Sequence, residues 1–483
     1  MIRRRTKIVA TLGPSTDDPK AMESIVRAGV DVVRLNFSHG DPGDHISRVD
    51  EIRKCAERVG RHVGVLADLQ GPKIRIDCFK DKKVFLKEGA TFILDANLDP
   101  KGGTQERVGI AYKDLPDDVN SGDTLLLDDG RIVLSVDRTE EKQIICRVTM
   151  GGELSDRKGI NRQGGGLSAP ALTDKDREDI KVAAAFQADY VAISFPRTAA
   201  DVNEARELLQ QAGGRGGIVA KIERAEALDA IEEIIAASDA VMIARGDLGV
   251  EIGDAALPPV QKHIIMLART MNRVVITATQ MMESMIENQI PTRAEVFDVA
   301  NAVFDGTDAV MLSAETATGH FPDKAIAAMD RICLEAEKQR VVSVSDHRLN
   351  TKFSRIDEAI AMSSMYAANH LGVKAIAALT ESGATPLWMS RISSSIPIYA
   401  LTGHVETQRK VTLYRGVYPV SFAINNTDHA LVNMEAVEEL KRIGEVSDGD
   451  LVIITKGDLM GVMGGTNAMK IVRVGHLVAP QSE

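Results

Sequence analysis

Eight short apolar runs, most of them separated by helical periodicity, constrain this chain more than any other feature. They fall at residues 7–12, 32–37, 63–69, 190–195, 218–223, 240–244, 274–278 and 309–313, and they are rich in Val, Ile, Ala and Leu. Strands that are apolar on both faces belong to parallel sheets covered by helices. Segments such as 225–237 and 259–271 supply the intervening helices. Eight units of this kind fit a (β/α)8 TIM barrel, while a doubly wound open sheet has the same local alternation.

The rhythm breaks once. Between Gly71 and Leu167 the helical period is absent, and short β-type runs at 83–86, 90–94, 124–127, 131–136 and 143–148 alternate with Gly/Asp turns. This predicts a small β-barrel inserted after the third strand, a lid flanked by Pro72 and Pro170 and preceded on its return by Gly164, Gly165 and Gly166. A passive surface insertion is the alternative. After Glu337 a polar stretch, 342–354, reads as a linker. Helix and strand then alternate again, with helices at 357–370 and 429–442 and strands at 374–379, 396–401, 417–422, 451–455 and 470–474. The expected fold is therefore α/β: a catalytic barrel (1–70 and 168–344), a β-barrel lid (71–167) and a C-terminal α/β domain (345–483).

Composition narrows the function. A chain of 483 residues exceeds one compact core. Its net charge of −11 and its 4% aromatic content, with Trp388 the only tryptophan, argue against nucleic acid as a partner. Cys55, Cys78, Cys146 and Cys333 are scattered without a CxxC, which suggests reduced thiols in a cytoplasm. The basic start, Met1-Ile-Arg-Arg-Arg, is followed by an apolar run too short for a signal peptide or a membrane span.

The chemistry is expected at the C-terminal ends of the barrel strands. Arg34, Asn36 and Ser38 alternate at the end of the second strand. Asp68 ends the third, Ser194 the fourth, Lys221 and Glu223 the fifth, Asp247 follows the sixth, Thr277 and Thr279 lie at the seventh, and Ser313 and Glu315 at the eighth. Polar side chains in an apolar barrel are costly unless paired or bound, so a ring of them reads as a site. Lys221 and Glu223, two residues apart on a strand, share one face. With Asp247 they bring an ammonium and two carboxylates together, which suits a Mg2+ or Mn2+ ion beside a phosphorylated anion. A structural ion pair of Lys221 is the plainer alternative.

Gly246, in the turn Arg245-Gly-Asp-Leu-Gly, lets a ligand approach backbone N–H groups that could hold a carboxylate or phosphate. Thr279 could bind substrate, relay a proton through water or cap a helix. The cluster of Met281, Met282 and Met285 reads as core, and His39 as a structural donor. In the C-terminal domain, Thr380, Ser382, Gly383 and Thr385 lie in a strand-to-helix turn that reads either as a small phosphate nest or as a helix cap.

Taken together the motifs resemble the pyruvate kinase family over nearly the whole chain. They are Thr6-Lys-Ile-Val-Ala-Thr-Leu-Gly-Pro, Arg34-Leu-Asn-Phe-Ser-His-Gly, Gly71-Pro-Lys-Ile-Arg, Lys158-Gly-Ile-Asn, Ala220-Lys-Ile-Glu, Ala244-Arg-Gly-Asp-Leu-Gly-Val-Glu and Ala278-Thr-Gln-Met-Met-Glu-Ser. The resemblance implies transfer of the phosphoryl group of phosphoenolpyruvate to ADP, giving pyruvate and ATP. It implies that Arg34 contacts phosphoenolpyruvate, that Lys221 stabilises the phosphoryl group, and that Glu223 and Asp247 hold the divalent ion. Gly246, Asp247 and Thr279 would bind the carboxylate end, and Arg75 and Lys158 would reach the nucleotide.

It further implies a homotetramer with a phosphorylated effector at the Thr380–Thr385 turn, with AMP or a sugar monophosphate suggested by Gly164-Gly-Gly-Leu-Ser-Ala. Lys73 stands where potassium-requiring relatives carry Glu. Activity without K+ is therefore expected, although the cation positions Asn36, Ser38 and Asp68 are retained. Two rivals remain: another metal-dependent enolate enzyme on the same barrel, such as an aldolase or a phosphoenolpyruvate-utilising synthase, and a non-catalytic metabolite sensor.

Overall fold

A computed structural model describes residues 3–343, 352–424, 428–458 and 464–476. Residues 344–351, most of the expected linker, lie outside the described residues. The eight apolar runs form a closed parallel barrel: β1 (Lys7–Thr11), β2 (Val32–Asn36), β3 (Gly64–Asp68), β4 (Tyr190–Ile193), β5 (Gly217–Ile222), β6 (Ala240–Ala244), β7 (Val274–Ala278) and β8 (Ala309–Leu312). Each strand pairs with its sequence neighbours, and β8 pairs with β1. The open doubly wound sheet is thereby excluded.

Side-chain alternation decides what each barrel surface carries. Ile8, Val33, Val65, Val191, Ile218, Val241 and Val310 pack outward into the helix-covered core. Val9, Val32, Leu66, Ala192, Val219 and Met242 belong to a second cluster that continues into the C-terminal sheet. Two residues further along, on the same faces, stand Arg34, Asp68, Ser194 and Lys221. The barrel interior is thus apolar toward the strand starts and charged at the strand ends. Helices are delimited locally: Asp41, Thr173 and Thr292 form capping boxes at helix starts. Gly29 and Gly306, at φ +113° and +90°, end theirs in the left-handed conformation.

The strand starts carry a repeated device. Asp31, Asp189, Asp239 and Asp308 immediately precede β2, β4, β6 and β8. Their carboxylates accept the backbone N–H of Ile8, Val65, Ile218 and Val275 in the preceding strands, at 2.9, 2.8, 2.9 and 3.0 Å. Each otherwise unpaired N–H at the floor thus finds an acceptor, which fixes the strand register in pairs.

The inserted strands form the expected all-β unit after the third barrel strand. They form a six-stranded sheet and a two-stranded sheet (Lys83–Leu86 with Gly152–Ser155) that share one hydrophobic core. The ladder is interrupted at Gly151, where a Cβ would lie 2.3 Å from the carbonyl oxygen of Leu86. The return strand is fastened to the barrel through Glu251. Its carboxylate accepts the N–H of Ala225 at 2.8 Å, and its backbone carbonyl accepts that of Gly164 at 3.1 Å.

The C-terminal sheet consists of β9 (Ala375–Leu379), β10 (Ile398–Thr402), β11 (Val417–Ser421), β12 (Leu451–Gly457) and β13 (Thr466–Arg473), in the order β11-β10-β9-β12-β13. All pairs are parallel except β12 with β13. The C-terminal domain meets the barrel floor through the Tyr190 hydroxyl on the Lys410 carbonyl (2.7 Å) and Lys7 Nζ on the Val417 carbonyl (2.6 Å). No helix among the described residues is long and apolar enough to cross a membrane.

Candidate active site at the barrel mouth

Lys221 is the centre of a buried charge cluster. Its ammonium lies 3.0 Å from Glu223 Oε1 and 3.2 Å from Asp68 Oδ1, and it donates to Ser194 Oγ at 2.7 Å. Asp68 Oδ2 accepts from Arg34 Nε at 2.6 Å, and Arg34 Nη1 donates to Thr11 Oγ1 at 3.0 Å. β5 ends at Ile222, so Glu223 is the first residue beyond the ladder, yet its side chain still meets that of Lys221. Its other oxygen, Oε2, accepts the N–H of Phe195 at 2.9 Å.

The electrostatics follow from this arrangement. Burial would lower the pKa of Lys221, but Asp68 and Glu223 outweigh it and hold the ammonium protonated above its ordinary value. Burial would raise Asp68, but Lys221 and Arg34 outweigh it and keep the carboxyl below its usual range. Glu223 goes the other way. Burial, with the negative charges of Asp247 and Asp68 added, exceeds the pull of Lys221, and its pKa is raised. A carboxyl crowded by two others would gain from a cation, which the donor set of Glu223 and Asp247 fits: hard oxygens with room left for substrate and water. Among the described residues, no group of three or more His, Cys, Asp or Glu forms an all-protein metal cage.

Asp247 lies in the first turn of the helix Arg245–Ile252. Lys73 Nζ reaches its Oδ1 at 2.9 Å. The ammonium of Lys73 thus stands beside the second carboxylate, while Asp68 is neutralised by Arg34 and Lys221. Asn36 Oδ1 accepts the N–H of Ser38 at 3.1 Å, closing the turn after β2. The N–H of Gly246, expected to be free for a ligand, donates to Thr279 Oγ1 at 2.9 Å. Thr279 Oγ1 in turn donates to the Ala278 carbonyl at 2.7 Å.

Thr279 and Gln280 have φ of +65° and +55°, and Phe195, which serves Glu223, has +58°. A positive φ at a β-branched residue is rare and strained, so surrounding contacts must enforce it. Arg245 supplies them. Its Nη2 donates to the Thr279 carbonyl at 2.7 Å, and its guanidinium grips both oxygens of Asp298 at 2.7 Å each. The sequence reading passed over Arg245 and Asp298. An arginine directly after an all-apolar run was the available signal for the first, and nothing marked the second.

Other predicted residues have different surroundings. Thr277 is fully buried and bonds to Thr307 Oγ1 at 3.0 Å, and Glu315 accepts the N–H of Met282 at 3.1 Å. At the lid roots, Arg75 Nη1 donates to the Arg157 carbonyl at 2.9 Å, and Lys158 Nζ lies 2.8 Å from Asp128. In the C-terminal turn, Thr380 Oγ1 accepts the N–H of Gly383 at 2.9 Å. The Thr385 hydroxyl is buried against that of Thr466 at 2.9 Å, so it engages the neighbouring strand.

Comparison with known proteins adds the family. The profile described as "Pyruvate kinase, barrel domain" matches residues 3–326, and "Pyruvate kinase, alpha/beta domain" matches residues 358–472. The chain is 57% identical over 475 residues to "Pyruvate kinase II" of Salmonella typhimurium, covering 98% of this chain and 99% of that one. It is 57% identical over 459 residues to the pyruvate kinase of Haemophilus influenzae, covering 94% and 96%. A crystal structure of a pyruvate kinase from Cryptosporidium parvum superposes with a TM-score of 0.89 at 35% identity, covering 97% of this chain and 96% of that one. The chain belongs to the pyruvate kinase family.

Proposed function

We propose that the protein is a pyruvate kinase that moves the phosphoryl group of phosphoenolpyruvate to ADP, giving pyruvate and ATP in the last step of glycolysis. The observation that carries this reading is the buried Lys221 ammonium between Asp68 and Glu223, at the mouth of a barrel in a chain of this family. Phosphoryl transfer depends mainly on positioning and charge neutralisation. Lys221 supplies a fixed positive charge for the phosphoryl group in flight. Arg34, braced by Asp68 and Thr11, binds phosphoenolpyruvate. The Gly246–Asp247 backbone and Thr279 receive the carboxylate end. Thr279, with an ordered water, hands the proton to the enolate carbon that becomes the methyl group. Arg75 and Lys158 meet the nucleotide from the lid, whose closure keeps bulk water from the phosphoryl group.

Glu223 and Asp247 would hold a Mg2+ or Mn2+ ion, which when bound supplies Lewis-acid stabilisation of charge on the substrate oxygens. Lys73 supports activity without K+, since its ammonium stands at the barrel mouth and can supply the positive charge that a bound K+ would bring. Asn36, Ser38 and Asp68 then need no monovalent ion. An assay in a bulky ammonium salt tests this, and a collapse of activity that K+ restores would refute it.

The organisation we assign is a barrel of 1–70 and 168–344, a lid of 71–167 and an effector-binding domain of 345–483. The last takes AMP or a sugar monophosphate at Thr380, Ser382, Gly383 and Thr385. The compact Thr380–Gly383 turn supports that assignment. The enzyme is a cytoplasmic homotetramer on the same reading. A lactate dehydrogenase-coupled assay tests the central reaction, with turnover expected to require phosphoenolpyruvate, ADP and Mg2+ together. Turnover without ADP would return the chain to the aldolase or synthase class, and metal binding without any turnover would make it a sensor.

A further inference from the structure

Where the barrel floor meets the C-terminal sheet, a small cavity of about 20 Å3 is lined by Arg5, Arg269, Arg415, Ser393, Ser394 and Gly416, among others. A space of that size holds one water-sized occupant. Its surroundings are unbalanced in charge. Three guanidiniums are buried at this seam, those of Arg5, Arg391 and Arg415, at 7%, 1% and 8% exposure. Two buried carboxylates oppose them, Asp308 and Glu337, at 1% and 8%.

Both carboxylates are already committed. Arg391 takes Asp308 through both oxygens, with Nη1 at 2.9 Å from Oδ2 and Nη2 on Oδ1. Asp308 also accepts the backbone N–H groups of Val275 and Arg415. Glu337 accepts the backbone N–H groups of Arg5 and Thr6 at 2.8 and 2.6 Å and lies 3.6 Å from Arg5 Nε. The Arg5 guanidinium is further tied to the carbonyls of Glu337, Val342 and Ser394. Arg269 donates to the Arg391 carbonyl at 3.0 Å and to Ser393 Oγ at 3.2 Å.

Arg415 stands apart from these. Among the described residues its side chain has no ion pair, and its Nη2 is buried without a hydrogen-bond partner. A guanidinium cannot shed its proton in a protein, so burial leaves a net positive charge in place. A buried charge is tolerated when paired and is strongly unfavourable alone. A water in the cavity would accept from the N–H but leave the charge uncompensated.

We propose that this seam binds one monatomic anion of chloride size against Arg415, joining the barrel floor to the C-terminal sheet. The site is separate from the barrel mouth and stands independently of the catalytic reading.

Crystals of the full-length protein soaked in sodium bromide and measured at the bromine edge test it directly. An anomalous peak inside the cavity, within contact of the Arg415 guanidinium, is expected. Peaks confined to the outer surface would overturn the proposal. Thermal melting in sodium chloride against sodium gluconate at equal ionic strength gives a second reading. The unmodified protein is expected to melt higher in chloride, with a rise that saturates, and Arg415→Met to melt alike in both salts. An unmodified protein indifferent to chloride, or a variant that keeps the full response, would count against the site. If Arg415→Met does not fold, the bromide peak in the unmodified protein decides.

Discussion

At the mouth of the barrel, Lys221 is shared between Asp68 and Glu223, and Asp247 is met by Lys73. At the floor, Asp31, Asp189, Asp239 and Asp308 are each tied to a backbone N–H of the neighbouring strand. Both ends bury acids beside cations, as with Arg4 on Asp31 and Arg391 on Asp308, but at the floor every one of these acids also holds a strand amide. An ammonium on a flexible stem can exchange its carboxylate for a substrate or a cation. A strand amide cannot leave without breaking the ladder.

The backbone follows the same division. Thr279, β-branched, is forced to positive φ beside the mouth, whereas the positive-φ residues Gln187 and Asn272 near the floor are unbranched and follow helix ends. Exchangeable partners and enforced strain mark the end where chemistry is expected, and fixed partners mark the end that holds the barrel shut.

Substitutions can break this contrast from either side. Lys221→Met should lower turnover per folded molecule by about 10³-fold, the scale for losing a preorganised charge-stabilising group, while Mn2+ binding is largely kept. Near-normal turnover would remove Lys221 from its role. At the floor, Asp31→Asn removes one of the two carboxylates that hold Arg4, leaving Asp330 at 2.7 Å. It should cost about 1.5–3 kcal/mol of stability in denaturant unfolding, with kcat per folded molecule unchanged.

Asp298→Ala sharpens the account of the mouth. Freed from its bidentate partner, Arg245 no longer pins the Thr279 turn, and kcat/KM per folded molecule should fall about 10- to 100-fold. Unaltered kinetics would show that the turn holds its shape without help.

The smallest effect concerns pH. Burial raises Asp189 to about 7, more than the Val65 N–H lowers it. The folded state therefore keeps a proton that the unfolded chain releases near about pH 4. Its stabilising contribution is full below that pH and is lost as pH rises through about 7. Asp189→Asn should flatten this part of the stability profile, and an unchanged slope between the two proteins would contradict the assignment.

Much of this was legible in the sequence. Residues 240–244 and 274–278 are strands to the residue, because uninterrupted Val/Ile/Ala runs end at turns. Other runs overran the ladder by a residue or two, at Ser194, Phe195, Glu223 and Ser313, since alternation continues after hydrogen bonding stops. That same alternation is what pointed to Lys221 and Glu223. The lid strands Arg107–Gly109 and Ile160–Arg162 were missed because three residues carry no period. The pairings Arg245–Asp298 and Lys73–Asp247 join residues far apart in the chain, and no local pattern encodes them. The four floor aspartates went unremarked, since an aspartate before a strand is ordinary until its acceptor role repeats.

The most direct measurement is a structure of the protein soaked with Mn2+, recorded at the manganese edge. The account predicts a single strong peak within bonding distance of both the Glu223 and Asp247 carboxylates, with the Lys73 ammonium displaced from Asp247. Manganese bound to only one of the two carboxylates, or elsewhere in the molecule, would contradict it.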